Sequence, residues 1–222
     1  MKVTKTTTAV AGVALLASAA LTGALTTGSA SASGDGAARA ASGGGTHAHG
    51  RLNPLNNSGV AGNAAVHVKH RRLHIEVDAR NLAKNLPHAQ HIHFGAKARH
   101  ECPSVADDDN GDFRLTTSEG APAYGPVRVS LTTRGATGPG SVLAVDRFPT
   151  APRGQIHYDR NTRTSKAVAR AIRRGEGVVV IHGVDYNDNG KYDFDSAGKS
   201  DLDPSLPAEA TDPATCGVLH TK

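Results

Sequence analysis

Short apolar runs of period two, each closed by a turn, constrain this chain most. Val66 and Val68 alternate with His67 and Lys69; after Arg71-Arg72, Leu73, Ile75 and Val77 alternate with His74, Glu76 and Asp78. Side chains of a strand leave opposite faces in turn, so the two runs predict an antiparallel hairpin with one apolar face, His67 and His74 pointing outward. Further alternating or continuous runs lie at Gln90–Phe94, Phe113–Thr117, Val127–Thr132, Val142–Val145 and Val178–His182, separated by turns such as Thr137-Gly138-Pro139-Gly140. Many short strands predict an all-β sandwich or barrel. One helix interrupts them. Thr164 or Ser165 caps it, Lys166 to Arg174 tolerates helix throughout, Gly175 ends it, and Val168 and Ile172 share its buried stripe.

The chain's 222 residues suffice for one modest domain. There is no Trp and only 4% aromatic residues, so Val, Leu, Ile and Ala must build the core. Few rings remain to stack bases, and the formal charge of +5 is not gathered into a basic face, so nucleic acid is excluded as a partner. Lys2 and Lys5 precede an apolar run from Ala9 to Ala17 that is too short to span a bilayer. With Ala30-Ser31-Ala32 after it, residues 1–32 read as a secretory signal without a membrane span. Residues 33–62 are rich in Gly, Ser, Ala and Asn and read as a flexible lead-in, His47 and His49 being solvated tail residues. Residues 63–222 form the folded domain, with order beginning near Ala64. Export implies an oxidising compartment, where the chain's two cysteines, Cys102 and Cys216, have one obvious use, a bond to each other.

Histidine is the compositional anomaly, with twelve in the chain. In His91-Ile92-His93 the side chains at i and i+2 leave one face of a strand, so two imidazoles can converge on a single copper or zinc ion. His182 ends the run Val178-Val179-Val180-Ile181, where a side chain is held rigidly yet can meet a ligand. Each histidine alone reads rather as a hydrogen-bonded structural residue, and the case for a ligand rests on the set.

Three segments together resemble the copper/zinc superoxide dismutase family. His91-Ile92-His93-Phe94-Gly95, with Cys102 nine residues after His93, is similar to that family's His-x-His strand and first disulfide cysteine. Val179-Val180-Ile181-His182 is similar to the strand ending in another copper-ligating histidine, and Cys216-Gly217-Val218-Leu219 to the strand with the partner cysteine. Their order agrees from about Val60 to His220. The resemblance implies a secreted protein with a Greek-key β-barrel and long loops, and with copper on His91, His93 and His182. It also implies a Cys102–Cys216 disulfide and superoxide as the small ligand. His100, His88 and His157 are candidate substitute ligands.

The departures are specific. Asp108 stands where the family has the histidine bridging copper to zinc, and no histidine lies between His100 and His157, which argues against a zinc-loaded subsite. Pro213 occupies the place of the arginine that guides superoxide. Dismutation would then be residual, and a non-enzymatic extracellular domain is the alternative. The chain also resembles, more loosely, secreted chordin-type repeats, where a His-Ile-His strand would serve metal sequestration or a protein contact. Asp185-x-Asn187-x-Asn189-Gly190-x-x-Asp193 spaces oxygen ligands as a calcium loop does. Ser196 replaces the bidentate Glu of an EF-hand, and an Asx-rich turn fits the same residues, so both readings stay open.

Overall fold

A computed structural model describes residues 44–222. The leader predicted over 1–32, with the start of the lead-in, lies outside the described residues. The strands are β1 (Thr46–Pro54), β2 (Ala61–Lys69), β3 (Arg72–Arg80), β4 (Gln90–His93), β5 (Val127–Ser130), β6 (Gln155–Arg163), β7 (Val178–His182), β8 (Pro213–Val218) and β9 (His220–Thr221). The helices are α1 (Thr117–Tyr124), α2 (Lys166–Arg173) and α3 (Ala208–Thr211). All strands join one antiparallel sheet in the order β5-β4-β7-β8-β1-β2-β3-β6, with β9 on β1.

The sheet curls into a half-barrel, and side chains span its gap. From edge strand β6, the Tyr158 hydroxyl and the Arg160 guanidinium both donate to the Thr132 carbonyl, just beyond edge strand β5. Inside the curl, Val66, Val68, Leu73, Ile75 and Val77 meet Ile92, Val179 and Ile181. The predicted hairpin is β2–β3, with His67 opposite His74 on the outer face. Helix α2 also follows the sequence: the Ser165 hydroxyl accepts from the Val168 N–H, Val168 and Ile172 are buried, and Gly175 takes a left-handed φ of 75°.

Strand β1 overturns the reading of 33–62 as wholly flexible. Residues 46–54 pair with β2, β8 and β9, and order begins well before Ala64. The buried side of β1 is Ala48, Gly50 and Leu52, a composition that resembles a linker because close packing demands small residues. A Cβ on Gly50 would lie 2.6 Å from the Val218 carbonyl oxygen. Two predicted strands are also absent. At 113–117, Phe113 is 89% exposed with a left-handed φ of 63°, and Thr116 caps α1. Residues 142–144 run between two short 3-10 turns, Pro139–Ser141 and Val145–Arg147, and Val145 opens the second.

Cys102 and Cys216 are bonded. Their disulfide lies on the convex side of β7 and β8, where Tyr124, Val178, Val180 and Cys216 form a second, smaller apolar cluster. This layer, not the barrel interior, carries the site. Among the described residues no helix is long and apolar enough to cross a membrane.

Candidate metal centre

Ile92 points into the main core, so pleating sends His91 and His93 to the opposite, convex face. His91 pairs with Val180 and His93 with Val178 across the ladder, and His182 follows Val180 by two residues on the same face. The three imidazoles predicted from sequence therefore meet. Their ring centroids are 5.3 Å (His91–His182), 5.6 Å (His91–His93) and 6.2 Å (His93–His182) apart. One nitrogen from each lies within 4.8 Å of the others, and all three residues are buried.

Backbone carbonyls hold two of the rings. His93 Nδ1 donates to the Gly125 oxygen at 2.8 Å, and His182 Nδ1 to the Thr211 oxygen at 2.6 Å. A carbonyl only accepts, so the proton sits on Nδ1 in both rings and the lone pair on Nε2. Gly125 owes its place to close approach: at a φ of 84°, an added Cβ would fall 3.0 Å from the Gly95 nitrogen and 2.8 Å from the Ala98 methyl. The His93 and His182 Nε2 atoms, and both nitrogens of His91, are buried without a hydrogen-bond partner.

Burial is the main cause that keeps these rings uncharged. It pushes His93 down to about 3, helped by nearby His182, and His182 down to about 4 against the pull of the Thr211 carbonyl. His91 falls well below the ordinary range through burial and then through His182 and His93, against a smaller pull from the Val142 carbonyl, which lies outside hydrogen-bond geometry to either ring nitrogen. Neutral imidazoles with free lone pairs are the form that binds a metal. Leaving several polar atoms unsatisfied in one spot costs stability, about 1–3 kcal/mol each, and calls for a function.

Helix α1 roofs the site. Thr116 and Glu119 form a reciprocal capping box: the Thr116 hydroxyl accepts from the Glu119 N–H, and the Glu119 carboxylate accepts from the Thr116 N–H. Asn56 anchors the approach to the helix, its amide donating to the Leu115 and Pro213 carbonyls and its oxygen accepting from the Leu115 N–H. Tyr124, at the helix end, lays its ring 4.6 Å from the His93 ring. The spacing Thr116-x-x-Glu119 could have revealed this helix, but Gly120 and Pro122 inside it read as turn residues.

Above the three rings lies a pocket of about 250 Å³. Leu143, Val145, Phe148, Leu202 and Leu206 line it with Tyr124, and no Lys, Arg, Asp or Glu is among its described lining residues. Pro213 does begin β8, and Arg114 turns to Asp212 at 2.8 Å instead of entering the pocket. These apolar lining residues escaped the sequence reading because each looks like ordinary core.

The substitute ligands lie elsewhere. His100 Nε2 donates to the Gly95 carbonyl, His157 is exposed beside Asp78, and the ring nitrogens of His88 face the His182 and Ala83 carbonyls. None of the three joins the histidine group. In the acidic loop, Asp185 accepts from the Asn189 and Gly190 N–H groups and Asn187 from the Asn189 N–H, while the Asn189 amide donates to Asp193. These four side chains thus fold back on their own loop as Asx turns do. Hydrogen bonds from the Asp195 N–H, the Asn189 amide and Lys191 hold the Asp193 carboxyl down at about 2.

No protein-family model matches the sequence, and no curated protein matches it. The class of the protein is therefore what its fold and site define: a disulfide-tied antiparallel β domain with three buried, converging histidines.

Proposed function

We propose that this chain is an exported copper-binding protein of the superoxide dismutase-like, Greek-key kind, with His91, His93 and His182 as the copper ligands. The observation that carries the reading is the set of unpartnered imidazole nitrogens that converge from one buried face. Three neutral nitrogen donors without thiolate or carboxylate suit copper, which binds a given nitrogen site more tightly than zinc does. The carbonyls of Gly125 and Thr211 act as orienting partners, fixing which nitrogen each ring offers. Copper would supply one-electron redox chemistry. The chain itself supplies orientation, burial and exclusion of water.

Binding is favoured over dismutation. A superoxide anion entering the pocket would meet no fixed positive charge among the described lining residues. The non-enzymatic alternative, with copper held or sequestered outside the cell, therefore ranks above residual dismutase activity. The disulfide agrees with an extracellular setting.

Metal analysis of the exported, untagged protein tests the assignment. One copper per chain is expected, with an imidazole-nitrogen signature in the Cu(II) electron paramagnetic resonance spectrum that vanishes in His91→Ala/His93→Ala. Unchanged copper content in that variant would reject the site. Superoxide consumption by the loaded protein no faster than by the metal-free protein is expected; a copper-dependent acceleration would restore the enzymatic reading.

A further inference from the structure

We propose that the pocket over the histidine centre binds an uncharged, largely apolar organic molecule that presents one lone-pair donor to the metal. This rests on the copper reading above and adds the class of ligand. The motivating feature is the wall. Of the six exposed large apolar side chains among the described residues, Leu143 (42% exposed), Val145 (45%) and Leu202 (45%) all line this one pocket. Apolar side chains gathered at a rim mark a binding site more often than chance exposure does.

Three hydroxyls in and beside the wall are already engaged, and that of Ser118 sits at the exposed rim. The Tyr124 hydroxyl donates to the Thr117 carbonyl, the Thr117 hydroxyl to the Thr211 carbonyl, and the Thr211 hydroxyl to Ser200. What remains at the floor is the set of unpartnered imidazole nitrogens. A ligand can thus be recognised through apolar contact along its body and one donor atom at its tip. The size follows from the volume. A cavity of roughly 150 Å³ accepts benzene, so 250 Å³ has room for about ten heavy atoms. Charge argues the same way. The Asp201 carboxylate accepts from the N–H of rim residue Ser118, which disfavours an anion at the mouth.

The test titrates the copper-loaded, disulfide-intact protein with phenylimidazole, imidazole and azide, following the copper absorption and paramagnetic resonance spectra. Phenylimidazole should bind on the order of thirty-fold more tightly than imidazole, because its ring buries apolar surface that imidazole lacks. Azide should bind more weakly than phenylimidazole. In Leu143→Asp/Leu202→Asp the preference for phenylimidazole should shrink to within about threefold, with copper content measured on the same sample. Equal affinity for the two azoles in the loaded wild-type protein overturns the pocket assignment and leaves the metal site standing. Failure of the wild-type protein to take up copper strikes the metal site instead. In that event, binding of indole to the metal-free protein, lost in the double Asp variant, decides for the pocket, and no binding decides against it.

Discussion

Cys102 and Cys216 stand 114 residues apart in sequence and 5.7 Å apart between their Cα atoms, tying the segment after β4 to β8. A closed loop of that length removes enough freedom from the unfolded chain to be worth about 5 kcal/mol in the chain-entropy treatment. Cys102→Ser/Cys216→Ser should therefore lower the urea-unfolding free energy by about 4–5 kcal/mol. The melting temperature should drop by about 10–20 °C. A loss below about 1 kcal/mol would mean that the unfolded chain is already compact around this contact.

His91 makes a sharper prediction because neither of its ring nitrogens has a partner in hydrogen-bond geometry, the nearby Val142 carbonyl being the least of the influences on the ring. It packs edge-on against Phe148, with ring centroids 5.3 Å apart, and faces the pocket, where a side chain of similar size has room. His91→Leu should stabilise the metal-free protein by about 1–3 kcal/mol, since it replaces stranded polar atoms with apolar ones. The same change should abolish copper uptake. Chemical denaturation of both metal-free proteins checks the first half, and metal analysis the second. A destabilised metal-free variant would show that His91 is held by its surroundings for structure.

The histidine centre was legible in the sequence because it depends on local geometry: i and i+2 on a strand share a face, and His182 closes an apolar run. The hairpin and α2 were legible for the same reason. β1 was not, since Ala48 and Gly50 are small to admit the neighbouring backbone and so carry almost no hydropathy signal. The strand expected at 142–145 failed because Val142, Leu143 and Val145 line the pocket instead of a ladder, and the one at 113–117 failed because the chain turns at Phe113 with a left-handed φ and starts α1 at Thr117. Leu115 lies buried beneath the α1 cap, while Leu143 and Val145 stand at the rim. The pocket itself is assembled from segments as far apart as Pro87 and Thr211, and no window of sequence contains it.

Glu209 holds the acidic loop in place. Fully buried on α3, it accepts from the Tyr186 and Asp193 N–H groups and from the Ser196 hydroxyl, three contacts spread over the 185–196 loop. Glu209→Ala strands two backbone donors at once and should cost about 2–4 kcal/mol. Amides of residues 186–196 should lose hydrogen-exchange protection more than those of β2 and β3. Uniform loss across both regions would instead point to global destabilisation.

Asp212 should give the stability of the protein a pH dependence of unusual sign. Arg114 and Tyr186 both donate to its Oδ2, at 2.8 and 3.0 Å, while its Oδ1 is buried without a partner. Burial outweighs the help of Arg114 and Tyr186 and raises the carboxyl from 3.8 to about 6. The folded chain then holds a proton that the unfolded chain has already released between about pH 4 and pH 6. Stability from this group accordingly falls as pH rises through that window, by about 3 kcal/mol in all, and is level above it. The buried imidazoles act in the opposite sense, because the unfolded chain takes up their protons below about 6.5 while the folded chain resists down to about 4 at His182 and about 3 at His93. The two effects overlap, so the difference between proteins isolates the carboxyl. Asp212→Asn keeps an acceptor for Arg114 and Tyr186 but cannot titrate. Relative to wild type it should gain stability steadily from pH 4 to pH 6 in urea denaturation. A difference that stays constant across those values would place the raised proton affinity on another group.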